Sequence, residues 1–370
     1  MTPRQREVYD LFASGMSKRA ISKHLELDPK TVREHLRKAQ AYIDAPDGVK
    51  RALKTTGLSD IGQLHSGWLK TDDASLYFVQ PKETPAEALQ SAVDRIVEVV
   101  GAITPLDPIE PPRNLSDDLL TIYPIADAHI GMRAIRDESG DDYSIEIASQ
   151  RICSAFDELM YSSPPARHAI ILDVGDLTHA DDTNYQTPRS KHPLDMDGSQ
   201  YESIDAAISV LSNAIFSAMR KHEFVTVRIL RGNHNENSYL AIMFALFERF
   251  RNNDRVTIEK TPADFFVHQF GKNMFAAHHG DKSKAERLVM HMAHEWSEMW
   301  GSTKWRFYFT GHLHHAKLQD IGGVQVEQLR AVASKDKYAA THGYVGSPQM
   351  QAITYHRELG EKTRVKVNFG

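Results

Sequence analysis

Residues 120–129 read LTIYPIADAH, an apolar run rich in β-branched and aromatic side chains that ends in Asp127-Ala128-His129. The run has the length and composition of a buried strand, and the polar cluster sits where the strand stops. The arrangement recurs four times. AIILDV (169–174) leads into Gly175-Asp176, and FVTVRIL (224–230) into Arg231-Gly232-Asn233-His234. MFAA (274–277) leads into His278-His279-Gly280-Asp281, and RFYFT (306–310) into Gly311-His312-Leu313-His314. Helical patterns lie between, as at Tyr143–Tyr161 and Ile204–His222. In sheets built this way ligands gather at the carboxyl ends of the strands. Five polar clusters in that position predict one site assembled from five loops.

The residue types point to metal. Asp, Asn and His make a mixed oxygen–nitrogen donor set without sulfur, which suits Mn²⁺, Fe²⁺ or Zn²⁺. A single cysteine, Cys153, excludes an intrachain disulfide and a thiolate zinc site, while nineteen histidines supply imidazole. Asp127-x-His129 puts both side chains on one side of an extended segment, so one ion can take both. His312-x-His314 can converge on one ion or divide between two. Glycines at 175, 232, 280 and 311 suit tight turns and close backbone approach.

Taken in order, D-x-H, G-D, G-N-H, H-G-D and G-H-x-H resemble the calcineurin-like metallophosphoesterase superfamily, including its repair-exonuclease branch, over roughly residues 120–330. The resemblance implies an α/β fold, a β-sandwich flanked by helices. Leu318–Leu329 and Gln351–Phe369 alternate enough to be strands, which fits the second sheet, packed on the first, that the resemblance implies. It also implies two divalent ions, Mn²⁺ first with Fe or Zn as alternatives. One would be held by Asp127, His129, Asp176 and His314, the other by Asp176, Asn233, His279 and His312. His278 competes with His279, which is favoured because the family's ligand often directly precedes glycine. His234 would be the catalytic histidine, free of metal, in an in-line attack of an activated water on phosphorus. A structural ion would close with about four ligands, fewer than this set. The third motif departs from the family, which commonly has an acid where Asn235 stands. Glu236 or another acid would have to support His234 instead. His179 and Asp181 are further candidates to face the substrate, and the aperiodic segment 180–202 is long enough for a lid or guiding loop. Lys282, Lys284 and Arg287 suit a phosphate path or a solvated face equally, whereas His291, His294 and His315 read as structural or solvated.

The N-terminus has a different character. Thr2-Pro3-Arg4-Gln5 is a capping-box helix start, with Val8, Leu11 and Phe12 as its apolar face and Gly15 as its stop. Ser17 caps a second short helix with Ala20, Ile21 and Leu25 inward. Asp28-Pro29 opens a third with Val32, Leu36 and Ala39 inward. Three helices so spaced predict a helix-turn-helix, and TPRQREVYDLFASGMSKRAISKHLELDPKTVREHL resembles the LuxR type. That resemblance implies DNA as partner. Lys30 and Thr31 would meet phosphate, and Arg33 or Arg37 a guanine edge. Residues 1–43 hold nine Lys/Arg against five acids, a balance of +4 in a chain of net charge −5, so the remainder carries −9. A basic head on an acidic body fits this pairing.

The expected organisation is a helix-turn-helix module at 1–43 and a small α+β connector at 44–103. A Pro-rich linker (104–115) and the phosphoesterase domain (116–370) follow. Within the connector, Trp68-Leu69 and Leu76–Val79 suggest a hairpin, and residues 84–100 an amphipathic helix. No apolar run approaches a membrane span and no signal peptide is evident, so the expected setting is a reducing bacterial or phage-infected cytoplasm with no membrane partner. Homo-oligomerisation is left open. The favoured function is a two-metal phosphodiesterase acting on DNA, a nuclease recruited by its helix-turn-helix. The alternatives are a nucleotide or small-molecule phosphatase whose N-terminal module serves assembly, and a DNA-binding regulator that senses a ligand.

Overall fold

The computed structural model describes residues 2–44, 66–70, 75–79, 109–110, 112–343 and 346–369 of the 370-residue chain. It divides into two units, Met1–Leu89 and Gln90–Gly370. In the first, helix α1 (Pro3–Ala13) starts with the predicted capping box. The Thr2 hydroxyl accepts from the Gln5 amide at 3.2 Å, and Gln5 Oε1 accepts from the Thr2 amide at 2.9 Å. Helix α2 (Lys18–His24) is capped by Ser17, and α3 (Pro29–Asp44) opens where Asp28 accepts from the Lys30 amide at 2.7 Å. Val8, Ile21 and Val32 are fully buried together, with Leu11, Met16, Leu25, Leu27 and Leu36 packed on them. Two expected core residues lie outside. Phe12 is 42% exposed with the Lys18 ammonium over its ring, and Ala20 is exposed. The inward stripe of α1 runs through Gln5 and Val8, and the seven-residue α2 buries only Ile21. Strands β1 (Ser66–Lys70) and β2 (Ser75–Val79) pair antiparallel as the expected hairpin. The expected helix at 84–100 and most of the proline-rich stretch lie outside the described residues.

The second unit continues with β3 (Ser116–Ile125), α4 (Ile145–Ser162), β4 (Ala166–Asp173), α5 (Gln200–Lys221), β5 (Phe224–Ile229), α6 (Ser238–Phe250) and β6 (Val256–Ile258). Then come β7 (Phe266–Phe270), β8 (Asn273–Ala277), α7 (Ala285–Glu295), β9 (Trp305–Thr310), β10 (Lys317–Ile321), β11 (Val324–Gln328), β12 (Gln349–His356) and β13 (Gly360–Asn368). One sheet has the order β13-β12-β3-β4-β5-β6, with β3 to β6 parallel; the other has the order β10-β11-β9-β8-β7, with β8 and β9 parallel.

The period-2 geometry of strands divides their side chains between two cores. Leu120, Ile122, Ile170 and Leu172, with Tyr355 of β12 beside them, face the second sheet, where Phe275, Phe307 and Phe309 meet them. Their neighbours Tyr123, Ile125, Ala169 and Ile171 pack with Phe156 and Leu159 of α4 and Leu211 and Ile215 of α5. On the outer face of the second sheet, Leu288, Val289 and Met292 of α7 cover Met274, Ala276 and Tyr308. The unit is a β-sandwich flanked by helices. No described helix is long and apolar enough to cross a membrane.

Candidate metal centre

All five polar clusters follow strands that run parallel within their own sheet, so the loops of both sheets open at one end of the sandwich. Backbone hydrogen bonds then sew the loops together. The Asp127 and His129 amides donate to the carbonyls of Gly175 and Asp176, and the Gly311 amide donates to the carbonyl of His279. Across the sheets, the His312 amide donates to the Asp127 carboxylate at 2.9–3.0 Å.

Besides a group formed by His129, His179 and His234, two groups of donor atoms result, each within 4.8 Å: Asp127, His129 and His314, and Asp176, His279 and His312. Asp176 links them, its Oδ2 lying 3.1 Å from His279 Nε2 and 4.0 Å from His129 Nε2. Asn233 Oδ1 is 3.1 Å from His279 Nε2, on the second group. Asp127 Oδ1 lies 3.5 Å from His314 Nε2, which is itself 3.2 Å from His129 Nε2. Five of these residues (Asp127, His129, Asp176, His312 and His314) have positive φ, between 43° and 71°, among nine non-glycine positions that do so in the described residues. Left-handed backbone at non-glycine residues costs about 1–3 kcal/mol each and persists where surrounding structure imposes it. Its concentration here marks a site built for geometry.

The electrostatics suit a cation. Burial opposes charge on both members of the Asp176–His279 pair. Even so, Asp176 raises His279 to about 10, and His279 with its histidine neighbours holds Asp176 well below the usual carboxylate range. Desolvation also works against charge on His314, yet Asp127 raises it. Burial, reinforced by His234, keeps His129 well below the ordinary imidazole value, hence neutral with a lone pair to give. His279 Nδ1 donates to the Val174 carbonyl at 3.0 Å, which leaves Nε2 for a ligand. Burial pushes the Asp173 carboxyl, beneath the site, well above its usual range. Oxygen and nitrogen donors that converge in this way fit divalent metal ions.

His278 turns away. Its Nδ1 accepts from the Gly280 amide at 2.9 Å and its ring lies on Phe265. His234 is in contact with the first group. Its ring sits 4.7 Å from that of His129, its amide donates to Asp176 Oδ1 at 2.7 Å, and its Nδ1 meets the His179 carbonyl at 2.9 Å. His179 is buried against His129, with 3.2 Å between their Nδ1 atoms. Asp181 points elsewhere: it accepts from the Asn237 and Ser238 amides, both at 2.8 Å, at the start of α6. His192, Pro193 and Leu194, from the aperiodic loop, line a cavity of ≈320 Å³ with His179 and Arg133. His291 stacks on Phe265, while His294 and His315 are exposed.

Glu236, one of the acids that could have supported His234, pairs instead with Arg231 at 3.1 Å. Buried Arg231 also contacts Asp264 at 3.3 Å and grips both oxygens of Asp281 at 3.0 Å, so it ties the loop after β5 to the loop after β8. Nothing in the sequence flags this pairing of residues fifty positions apart. Asn235 has a structural task as well. Its Oδ1 accepts from the amides of Gly232 (2.8 Å) and Asp176 (3.3 Å), where a carboxylate would add a second buried negative charge beside Asp176. In the first unit, Lys30, Arg33 and Arg37 are exposed on α3 and Thr31 is half-buried.

Residues 1–50 match the family model for bacterial regulatory proteins of the luxR family. The LuxR-type segment therefore covers α1 to α3. No curated protein matches the sequence. Among solved structures the chain is similar to a predicted phosphoesterase from Streptococcus pneumoniae (11% identity, 68% of this chain and 98% of that one, TM-score 0.29). It is also similar to an archaeal phosphodiesterase (12%, 67% and 99%, 0.35) and to zinc-complexed Vps29 from Entamoeba histolytica (11%, 68% and 99%, 0.29). Overlays this loose bear no weight, and the candidate metal centre rests on its own side chains.

Proposed function

We propose that the chain is a two-metal phosphodiesterase of the calcineurin-like type that cleaves DNA, delivered by its LuxR-type helix-turn-helix. The observation that carries the reading is the pair of donor groups joined through Asp176. Asp127, His129 and His314 would hold one ion; Asn233, His279 and His312 would hold the other; Asp176 would serve both. Bound there, Mn²⁺ or a similar ion lowers the pKa of water and neutralises charge on the phosphoryl oxygens. The chain's own groups do the rest. His234 has its Nδ1 tied to the His179 carbonyl, so Nε2 is the ring atom left to hydrogen-bond or protonate the leaving oxygen. Asn235 holds the Asp176 and Gly232 amides and so sets the turn that presents Asn233 and His234.

Lys30, Thr31, Arg33 and Arg37, along one helix of the LuxR-type segment, are the proposed DNA contacts. The alternative, a small-molecule phosphoesterase, draws on the ≈320 Å³ cavity beside His179. The test compares the full chain with the Arg33→Ala/Arg37→Ala variant on duplex DNA and on bis-p-nitrophenyl phosphate with Mn²⁺. Recruitment predicts weaker DNA cleavage at low substrate and unchanged diester hydrolysis. Unchanged DNA cleavage would leave only the phosphoesterase.

A further inference from the structure

The loops that carry His279 and His312 have a second side. Gly280 and Gly311, next to those two histidines, form one wall of a cavity of ≈440 Å³. Its floor is one face of the β10–β11 hairpin, where Lys317 pairs with Gln328 and Gln319 with Val326. The remaining wall is the start of α7, whose first amides have no side-chain cap and where Lys284 is the capping position.

The charges along these walls sort by partner. Asp281 is held by Arg231 at 3.0 Å and Lys282 by Asp264 at 3.3 Å, so both are neutralised in place. Lys284 and Lys317 are exposed and have no acidic partner among the described residues, and Glu286 is the one opposing charge. Two exposed lysines thus line an open-sided cavity bounded by the loops that carry proposed metal ligands. Exposed Leu313 offers the same cavity an apolar surface. An isolated phosphodiester has nothing to place here, whereas a chain of them has a second anionic group for the lysines and the uncapped α7 amides.

We propose that this groove binds the phosphate adjacent to the scissile one, which makes a polynucleotide strand the preferred substrate. The inference rests on the phosphoesterase reading above. Its test uses the full chain and the Lys284→Ala/Lys317→Ala variant, neither residue being part of the proposed catalytic machinery. The substrates are bis-p-nitrophenyl phosphate, with one phosphate, and a single-stranded trinucleotide, with two and too short for the helix-turn-helix. The variant should raise KM for the trinucleotide roughly tenfold, as expected for loss of hydrogen bonds to a charged group. Its kcat, and both constants for the small diester, should stay unchanged. The Lys284→Arg/Lys317→Arg variant should keep the wild-type KM, since charge is retained. An unchanged trinucleotide KM, an equal loss on both substrates, or an arginine variant as weak as the alanine one would each overturn the groove. If the wild-type chain hydrolyses neither substrate, the phosphoesterase reading fails. The groove is then judged by trinucleotide binding to the intact chain in EDTA, where the alanine variant should bind roughly tenfold more weakly and equal affinity would refute it.

Discussion

Gly232→Ala should disable the proposed metal centre although it adds one methyl group and alters no proposed ligand. Gly232 lies outside the left-handed region, so alanine could adopt its backbone conformation. By restricting the unfolded chain it would, in open space, stabilise the fold by about 0.4–1 kcal/mol. The space is not open. A Cβ at 232 would stand 2.6 Å from Asp176 Cγ, nearer still to its Oδ1 and amide nitrogen, where ordinary contact begins at 3.4 Å. The neighbour is the backbone and carboxylate of the residue that joins the two donor groups, and it is fully enclosed. Relief therefore requires a shift of Asp176 on the order of 1 Å. Overpacking of this kind costs about 1–3 kcal/mol of stability, which outweighs the entropic gain, and misplacing a reacting group by 1 Å costs about 100-fold in rate. The assay is kcat on bis-p-nitrophenyl phosphate with Mn²⁺, alongside bound-metal content and thermal unfolding. Gly301→Ala, where nothing lies within 4 Å of the added carbon, serves as control and should leave all three readings unharmed. Wild-type metal content and turnover in Gly232→Ala would refute the account of Asp176 as a tightly positioned bridge.

The other predictions concern the donors themselves. Asp176→Asn and His279→Ala should each abolish diester hydrolysis and lower bound metal, while His278→Ala, which loses a tilted ring contact with Phe265 and a loop hydrogen bond, should be milder; the reverse ranking would reassign the ligand. His234→Ala should retain metal and lose most turnover, with the smallest loss for a p-nitrophenolate leaving group; equal losses across leaving groups would favour charge stabilisation over proton donation. Metal affinity should rise with pH. His279, raised to about 10, carries a proton below that value which an incoming ion must displace, so apparent affinity should climb through neutrality and level off above the pKa. Titration calorimetry in two buffers of different ionisation enthalpy would count the released protons, and affinity independent of pH would contradict the assignment.

Much of the fold was legible in the sequence because its signals are local. Runs such as AIILDV and RFYFT have no alternative to burial, and they stop where their polar residues begin, which locates strand ends without any knowledge of sheet order. The capping box at Thr2 and Gln5 is equally local, four residues that satisfy one another's amides. Phe12 misleads for the same reason: helical spacing names an apolar residue without saying which side of a three-helix unit has a neighbour to receive it.

By itself, then, the sequence determined the element types, the donor chemistry and the loops on which the donors sit. Only the tertiary structure decided which donors meet. Adjacent His278 and His279 are equivalent in pattern; they separate because one ring finds Phe265 while the other finds the Val174 carbonyl from the opposite sheet. Glu236 or another acid was expected at His234, yet buried Arg231 claims Glu236 together with Asp264 and Asp281, since an arginine taken out of water demands carboxylates wherever the fold brings them. Such partnerships join residues from separate loops of a two-sheet sandwich. Their energy depends on distance in space, which the order of residues along the chain does not encode.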